Sequence, residues 1–267
     1  MPLTALQIDR AAAILEEARL AVTTIPGLPA DVRPHDLRDA YAICERLHER
    51  LGWDVAGWYL GATNVEIQRL LGLDGPYMAR VYERLLHISP ATLEPADFPP
   101  MVIECEFAFR LAHDLPARAE AYTREEVAAA VGSVHAAIEV VAGHIEDWVN
   151  QDVWSVIADN GTDGAVILGD GTADWRDIDL RTVDVTLQRN GELVREGTGA
   201  NILGDPLTAF AWLANARRAA GDGLTGGMVC NTGTATPICP AEPGDELIAA
   251  FGPLGSATLV VAPRPAG

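Results

Sequence analysis

Apolar and polar residues alternate most regularly along the stretch 101–109, which reads Met-Val-Ile-Glu-Cys-Glu-Phe-Ala-Phe. Side chains of a β-strand point to opposite faces in turn, so this period of two predicts a strand. One face is apolar and is expected to join the core; it carries Ile103, Cys105, Phe107 and Phe109. The other face carries Glu104 and Glu106, whose positions lie about 7 Å apart along an otherwise apolar strand.

Elsewhere the pattern predicts helices early in the chain and mostly strands later. A helix is expected over 4–22 with Thr4 as N-cap, and another from His35 or Asp36 to Leu51. Short helices are expected at 65–71, at 123–131 with a capping box, and from Asp205 to about Arg218. Strands are predicted at 55–61, 135–141, 165–168, 226–230, 246–251 and 256–261, with a hairpin around Asn190-Gly191.

Four prolines within 90–100 indicate a hinge between two parts of the chain. We therefore expect a helical N-terminal region over 1–90 and a second, strand-rich domain over 91–267. The fold class predicted from this order of elements is α+β.

The charge of the chain excludes some classes of partner. Thirty-eight acidic residues face 19 basic ones, for a net charge of −19, and all 19 basic residues are arginine. This balance argues against binding to nucleic acid or to an anionic membrane surface, and solubility is the simplest explanation of the acidic charge. Without lysine, Schiff-base chemistry and a lysine general base are excluded.

Cysteine use and hydropathy predict the cellular compartment. The four cysteines are far apart and form no C-x-x-C pair, which is typical neither of a disulfide scaffold nor of a zinc site. No apolar run reaches the roughly 18 residues of a membrane span. The first 19 residues lack the basic segment and apolar core of a secretory signal. A cytoplasmic protein is expected.

Glu104 and Glu106 suggest a metal site. Two like charges on a mostly apolar strand are costly to bury unless a positive charge lies between them. Glu139 is the sole carboxylate of another apolar run, 135–141, and offers a third ligand. Carboxylate oxygens suit Mg²⁺ or Mn²⁺. The alternative is a solvent-facing strand edge, where the E-x-E pattern is common.

Several segments together resemble one family. They are Glu104–Phe109, Ile138–Val141, Ile157–Gly161, Gly197–Pro206, Ala211–Asn215 and Thr232–Thr234. In this order, over roughly 36–261, the chain resembles a divergent member of the 2-keto-4-pentenoate hydratase/4-oxalocrotonate decarboxylase family, within the fumarylacetoacetate hydrolase superfamily. The resemblance implies the mixed β-roll of that superfamily for the second domain, and a homo-oligomer.

The resemblance also implies a function. Glu104, Glu106 and Glu139 correspond to the family's Mg²⁺ or Mn²⁺ ligands, and the substrate is a small 2-oxo or 2-hydroxydienoic acid. Hydration of a 2-hydroxypenta-2,4-dienoate is the main hypothesis. The alternatives are decarboxylation of a 4-oxalocrotonate-like acid, C–C hydrolysis of an acylpyruvate-like acid with a Glu–His dyad, and a catalytically silent partner subunit.

The surroundings of the expected metal depart from the family pattern. Tyr59 stands where the family usually has lysine, and Ala142-Gly143-His144 stands for Asp-Ser-Arg. Tyr59 and Asp74 are the candidate acid–base groups, although Tyr59 would serve equally as a packing residue. Asp159 is either a substrate contact or part of a turn. Thr232, Gly233 and Thr234 offer donors to a substrate carboxylate, or form a simple turn.

Overall fold

The computed structural model describes residues 2–264, within which six α-helices and thirteen strands follow one another. The helices are α1 (Ala5–Leu20), α2 (Leu37–Leu51), α3 (Val65–Leu71), α4 (Arg124–Ala130), α5 (Val153–Ala158) and α6 (Pro206–Ala220). The strands are β1 (Val55–Gly61), β2 (Tyr77–Tyr82), β3 (Leu86–Ile88), β4 (Ala91–Leu93), β5 (Val102–Leu111), β6 (Val131–Val141), β7 (Asp163–Thr172), β8 (Asp184–Arg189), β9 (Glu192–Thr198), β10 (Val229–Thr234), β11 (Cys239–Pro240), β12 (Glu246–Ala250) and β13 (Ser256–Val261).

The strands form two mixed sheets. The larger has the order β2-β1-β10-β5-β6-β7-β3, with β11 also paired to β5, and the smaller has the order β4-β13-β12-β8-β9. Three pairs are parallel, namely β1 with β10, β3 with β7 and β4 with β13; the other pairs are antiparallel. β5 and β6 lie side by side in the middle of the larger sheet. The predicted α+β class is confirmed.

The main core lies between the two sheets. The predicted apolar face of β5 is fully buried there, together with residues of β8, β12 and β13. Phe107 meets Phe251 edge to face, with ring centroids 4.9 Å apart. Because this face of β5 turns inward, Glu104 and Glu106 turn to the opposite face of the larger sheet.

Helices cover part of that opposite face. α1 and α2 share a second apolar cluster, which contains Leu15 and Leu47 and extends to Ala158 at the end of α5. The predicted caps are present, since Thr4 forms a capping box on α1 and Thr123 forms one on α4. Asp36, expected as a possible first residue of the second helix, is the N-cap of α2. Among residues 2–264 no helix is long and apolar enough to cross a membrane.

Two parts of the sheets differ from the sequence-based expectation. The strand predicted at 226–230 is wrong in its bounds, since β10 runs from Val229 to Thr234. β2, β3, β4 and β11 were not predicted. β1, β2 and β3 precede residue 90 and pair within the larger sheet, so the N-terminal region is helical only in part. The division of the chain at residue 90 stays a prediction.

Candidate metal centre

The three predicted ligands lie on the two central strands of the larger sheet. Glu104 of β5 is directly opposite Glu139 of β6, and Glu106 follows two residues along β5. Facing residues of an antiparallel pair point to the same face, as do residues two apart on one strand. The three side chains therefore meet, and one carboxylate oxygen from each lies within 4.8 Å of the other two.

These carboxylates are removed from water. Glu106 has no exposed surface, Glu139 is 5% exposed and Glu104 is partly buried. Burial raises the pKa of all three; the nearby carboxylates raise that of Glu106 and Glu139 further. Among residues 2–264 no arginine or histidine forms an ion pair with any of them.

A divalent cation fits this arrangement. The backbone N–H of Gly233 donates to Oε2 of Glu106 at 3.1 Å, but Oε1 of Glu106 has no hydrogen-bond partner in the described chain. An unpaired oxygen at full burial, beside two further carboxylates, is an electrostatic defect that a cation would correct. Three hard oxygen donors favour Mg²⁺, Mn²⁺ or Ca²⁺ over zinc.

A cavity of about 660 Å³ opens above these residues. Glu104 and Glu139 line it, and they are the only charged residues among those described that do so. The walls come from the end of β1 and from α3, from residues around α5, and from the loop that follows β10. A substrate that reached the cation would enter through this cavity.

Tyr59 lines the cavity, as its predicted role requires. Its ring is 4% exposed and packs among apolar residues of the sheet, including Ala79 and Ala108. Its hydroxyl donates to the backbone carbonyl of Asn160 at 3.1 Å. The Tyr59 oxygen also accepts from the Asn160 side-chain amide at 3.5 Å, and the Asn160 carbonyl holds the Tyr59 proton in a fixed direction.

Gly233 and Thr234 also line the cavity, beside the carboxylates. Gly233 has φ of +88°, and a Cβ there would lie 2.0 Å from the Thr63 hydroxyl. Only glycine therefore lets the backbone turn its N–H towards Glu106 at this point. The Gly233 N–H thus donates to Glu106, an expected metal ligand. The sequence-based prediction instead had this N–H donate to a substrate carboxylate.

Three other predicted residues do not line the cavity. Asp74 is exposed in the turn between α3 and β2. Asp159 is fully buried, accepts the His144 backbone N–H at 2.7 Å and pairs with Arg19 of α1 at 3.2 Å. Thr232 is buried and donates to the carbonyl of Phe107 at 3.1 Å. These contacts are structural, so the geometry gives no support to the predicted catalytic and substrate-binding roles.

The sequence reasoning missed Tyr77. This residue begins β2 opposite Gly61 on β1, and its ring lies where a Gly61 side chain would be. Tyr77 lines the cavity, and burial together with the charges of Glu104 and Glu139 raises the pKa of its phenol. Its hydroxyl therefore stays a proton donor at neutral pH. The available signal is its position three residues after Asp74, in the stretch Asp-Gly-Pro-Tyr-Met-Ala at 74–79.

No histidine among the described residues lines the cavity. The His135 ring bonds Ser133 and the carbonyl of Gly169, both at 2.8 Å. His144 lies beside Asp159, with Nδ1 3.7 Å from its carboxylate. A Glu–His dyad of the kind expected for C–C hydrolysis is thus not formed at this site.

Sequence comparison places these features among known proteins. The fumarylacetoacetate (FAA) hydrolase C-terminal family matches residues 87–262. A 2-keto-4-pentenoate hydratase of Paraburkholderia xenovorans is 33% identical over 246 residues, which cover 91% of this chain and 90% of that protein. A 4-oxalocrotonate decarboxylase of Pseudomonas sp. strain CF600 is 29% identical and covers 92% of this chain and 93% of its own length.

Solved structures with a similar fold include a relative of the same kind. The 4-oxalocrotonate decarboxylase of Pseudomonas putida G7, complexed with magnesium and adipate, superposes with a TM-score of 0.88 at 28% identity, over 97% of this chain and 98% of that one. The fumarylpyruvate hydrolase of Pseudomonas aeruginosa, in complex with Mn²⁺ and pyruvate, has a TM-score of 0.59 at 14% identity, over 78% of this chain and 89% of that one. The second likeness concerns the fold alone.

Proposed function

The chain belongs to the FAA hydrolase C-terminal family, and on that premise we propose that it is a divalent-metal-dependent lyase that hydrates a 2-hydroxypenta-2,4-dienoate-type acid. The observation that carries the proposal is the group of three glutamates whose carboxylates meet beside the cavity, two of which line it. The 33% identity to 2-keto-4-pentenoate hydratases over nine-tenths of the chain favours hydration.

Glu104, Glu106 and Glu139 would hold Mg²⁺ or Mn²⁺, and the Gly233 N–H would keep Glu106 in place. A bound cation would supply a Lewis acid that stabilises negative charge on the 2-oxygen of the substrate. The cavity walls would orient the carbon chain and limit access of bulk water.

Hydration requires proton transfers to and from particular atoms of the substrate. The 2-hydroxyl proton leaves and C5 gains one, which gives the 3-enone; water then adds at C4 and C3 gains a proton. Tyr59 and Tyr77 line the cavity together with Glu104 and Glu139, and the hydroxyls of the two tyrosines are the protein groups that we propose for these transfers. Asp74, which is exposed and off the cavity, is not proposed for this step.

Decarboxylation of a 4-oxalocrotonate-like acid is the second candidate. The observation that favours it is the TM-score of 0.88 to the P. putida decarboxylase over nearly the whole chain. The same glutamates and the same stabilised oxygen would serve, with carbon dioxide leaving in place of water adding. C–C hydrolysis is not proposed, because no histidine of the described chain lines the cavity.

The test is turnover of 2-hydroxypenta-2,4-dienoate by the purified chain, followed by the loss of dienoate absorbance. EDTA should abolish turnover, and added Mg²⁺ or Mn²⁺ should restore it. Glu139→Gln should lower kcat/KM by at least about 100-fold, whereas Glu192→Gln on the exposed hairpin should not change it. Unchanged turnover in EDTA would exclude the metal role.

A parallel assay with 4-oxalocrotonate, reading carbon dioxide release, separates the two reactions. Faster release of carbon dioxide than hydration would make the chain a decarboxylase. A chain that binds Mg²⁺ but turns over neither acid would be a silent subunit. We also propose that the protein is cytoplasmic and forms a homo-oligomer. Size-exclusion chromatography with light scattering would test the oligomeric state.

A further inference from the structure

We propose that the outer half of the cavity is a subsite for an uncharged, apolar tail of the substrate, and that it rejects a second carboxylate. The inference rests on the proposed hydration, because the metal would fix the 2-oxo acid end and thus the direction of the tail. It argues against the decarboxylation candidate, whose substrate carries a second carboxylate. It goes further by assigning the class of the substituent at the other end of the molecule.

The first observation is the lack of positive charge. Nineteen arginines are present in the chain, yet none of those described lines the cavity, and no histidine does so either. The charged residues that line it are Glu104 and Glu139, which repel a carboxylate. A carboxylate on the tail would lose its water and gain no opposite charge, and that transfer is strongly unfavourable.

The neutral donors of the walls do not offset this loss. Asn201 donates to the carbonyl of Ala235 at 2.7 Å, and Gln151 donates to that of Glu146 at 2.9 Å. Asn64 uses its side-chain oxygen to cap α3. Two of these three amides thus already donate to the backbone, and no cation among the described lining residues stands beside them to complete an anion site.

The second observation is the apolar character of the rim. Leu70 is 79% exposed, Val149 is 56% exposed and Ile67 is 44% exposed, and all three line this cavity. Glu139, by contrast, is 5% exposed. The exposure gradient places the carboxylates deep and the apolar side chains at the mouth. An apolar tail that runs outward from the metal would cover these side chains and remove them from water.

The size of the cavity agrees with a tail of this kind. Its volume of about 660 Å³ lies well inside the range of roughly 300–1,000 Å³ that drug-sized ligands occupy. A five-carbon acid leaves much of that space unused. Longer alkyl or aryl substituents would reach Val153 and Ile238, which also line the walls.

A matched pair of ligands tests the inference. 2-Oxohexanoate and 2-oxoadipate have the same carbon chain and differ only in a terminal methyl or carboxylate; pyruvate is the shared head group. In the presence of Mg²⁺, titration calorimetry should give 2-oxohexanoate a Kd at least about tenfold lower than that of either other acid. The estimate follows from about fourfold per buried methylene.

Two variants sharpen the test without touching the metal ligands. Leu70→Arg adds a cation at the rim, and it should lower the Kd of 2-oxoadipate relative to 2-oxohexanoate at least about tenfold. Val65→Arg adds the same charge to the same helix, at a residue that is 48% exposed and off the cavity, and should leave the ratio unchanged. Both positions are exposed, so both variants should fold.

Equal or tighter binding of 2-oxoadipate by the unaltered protein would overturn the inference. If pyruvate binds with Mg²⁺ and the tail makes no difference, the tail subsite alone fails. If 2-oxohexanoate is preferred but Mg²⁺ has no effect, the metal role fails and the subsite stands. If none of the three acids binds, both proposals are overturned.

Discussion

Glu104, Glu106 and Glu139 are held together by the backbone of two strands, whether or not a cation is bound. Without one, burial and mutual repulsion make the carboxylates hold protons more strongly than they would in the unfolded chain. Protons and metal ions therefore compete for the same oxygens. This competition gives the site a pH dependence of definite sign.

In the metal-free protein, thermal stability should fall as pH rises from 6 to 8.5. Burial raises the pKa of Glu104 to about 7 and that of Glu139 to about 8, so the native state binds more protons than the unfolded state in this range. The free energy of unfolding must then decrease with pH, by on the order of 1.4 kcal/mol per pKa unit of difference. Calorimetry in EDTA measures it.

Mg²⁺ should remove this fall, and its affinity should rise over the same pH range because binding releases protons. Glu139→Gln should flatten the metal-free curve, which separates the triad from the other acidic groups of the chain. A metal-free melting temperature that increases from pH 6 to pH 8.5 would contradict the assignment.

Tyr59→Phe should lower kcat about 100-fold or more and change KM little, because the variant keeps the ring and loses the hydroxyl that we propose for proton transfer. The free energy of unfolding should fall by about 1 kcal/mol, from loss of the bond to the Asn160 carbonyl. Steady-state kinetics and chemical denaturation measure the two effects.

Tyr122→Phe is the matched control. The Tyr122 hydroxyl also donates to a backbone carbonyl, that of Pro116 at 2.7 Å, but Tyr122 does not line the cavity. It should lose similar stability and keep its activity. A Tyr59→Phe variant with kcat within twofold of the unaltered protein would make Tyr59 a packing residue, and Tyr77 would be the next candidate.

Individual residues were predictable where one strand sets their direction. The alternation along β5 placed Glu104 and Glu106 on one face and the core on the other. The structural role of Asp159 was not predictable, because its partner Arg19 is 140 residues away and no local sequence pattern indicates the pair. Tyr77 was missed for the same reason, since its importance comes from the neighbouring strand.

At the level of elements, capped helices and half-buried strands were predictable because their signals are local. β2 has no alternation: its residues 79–82 are all buried, and Arg80 among them stacks on Trp58. β10 was misplaced because its last four residues, Asn231–Thr234, are polar or glycine and resemble a loop. Two of these four residues, Gly233 and Thr234, line the cavity, so a strand that serves the site lacks the apolar pattern of a core strand.

Gly233→Ala tests how β10 supports the site. The added methyl would lie 2.0 Å from the Thr63 hydroxyl at a φ of +88°, so we expect a loss of about 1–3 kcal/mol in unfolding free energy and weaker Mg²⁺ binding. Gly227→Ala is the control, because its φ is +91° and no atom lies within 4 Å of the added Cβ. Equal effects of the two variants would show that crowding is unimportant.

At the level of the whole molecule, ion pairs as well as apolar packing hold α1 against the larger sheet. Arg19 is almost fully buried and pairs with both Asp159 and Asp163, the last of which begins β7. The predicted boundary at residue 90 could not anticipate this, since hydrophobic periodicity carries no information on which elements meet.

Arg19→Met should destabilise the protein by about 3–5 kcal/mol, because two buried carboxylates lose their shared cation. Arg10→Met breaks a pair with Asp31 in which both side chains are more than half exposed, and should cost less than about 1 kcal/mol. Urea denaturation followed by circular dichroism compares them. Similar losses for the two variants would argue against a structural role for the buried pair.

The facing positions of Glu104 and Glu139 on β5 and β6 also bear on folding fidelity. A slip of one residue in a strand exchanges its two faces. It would drive Glu104 and Glu106 into the apolar layer between the sheets and turn Phe107 and Phe109 towards water. A misregistered chain would therefore be destabilised both by buried carboxylates and by exposed aromatic rings. The residues that we assign to metal binding thus also help to fix the register of the two strands.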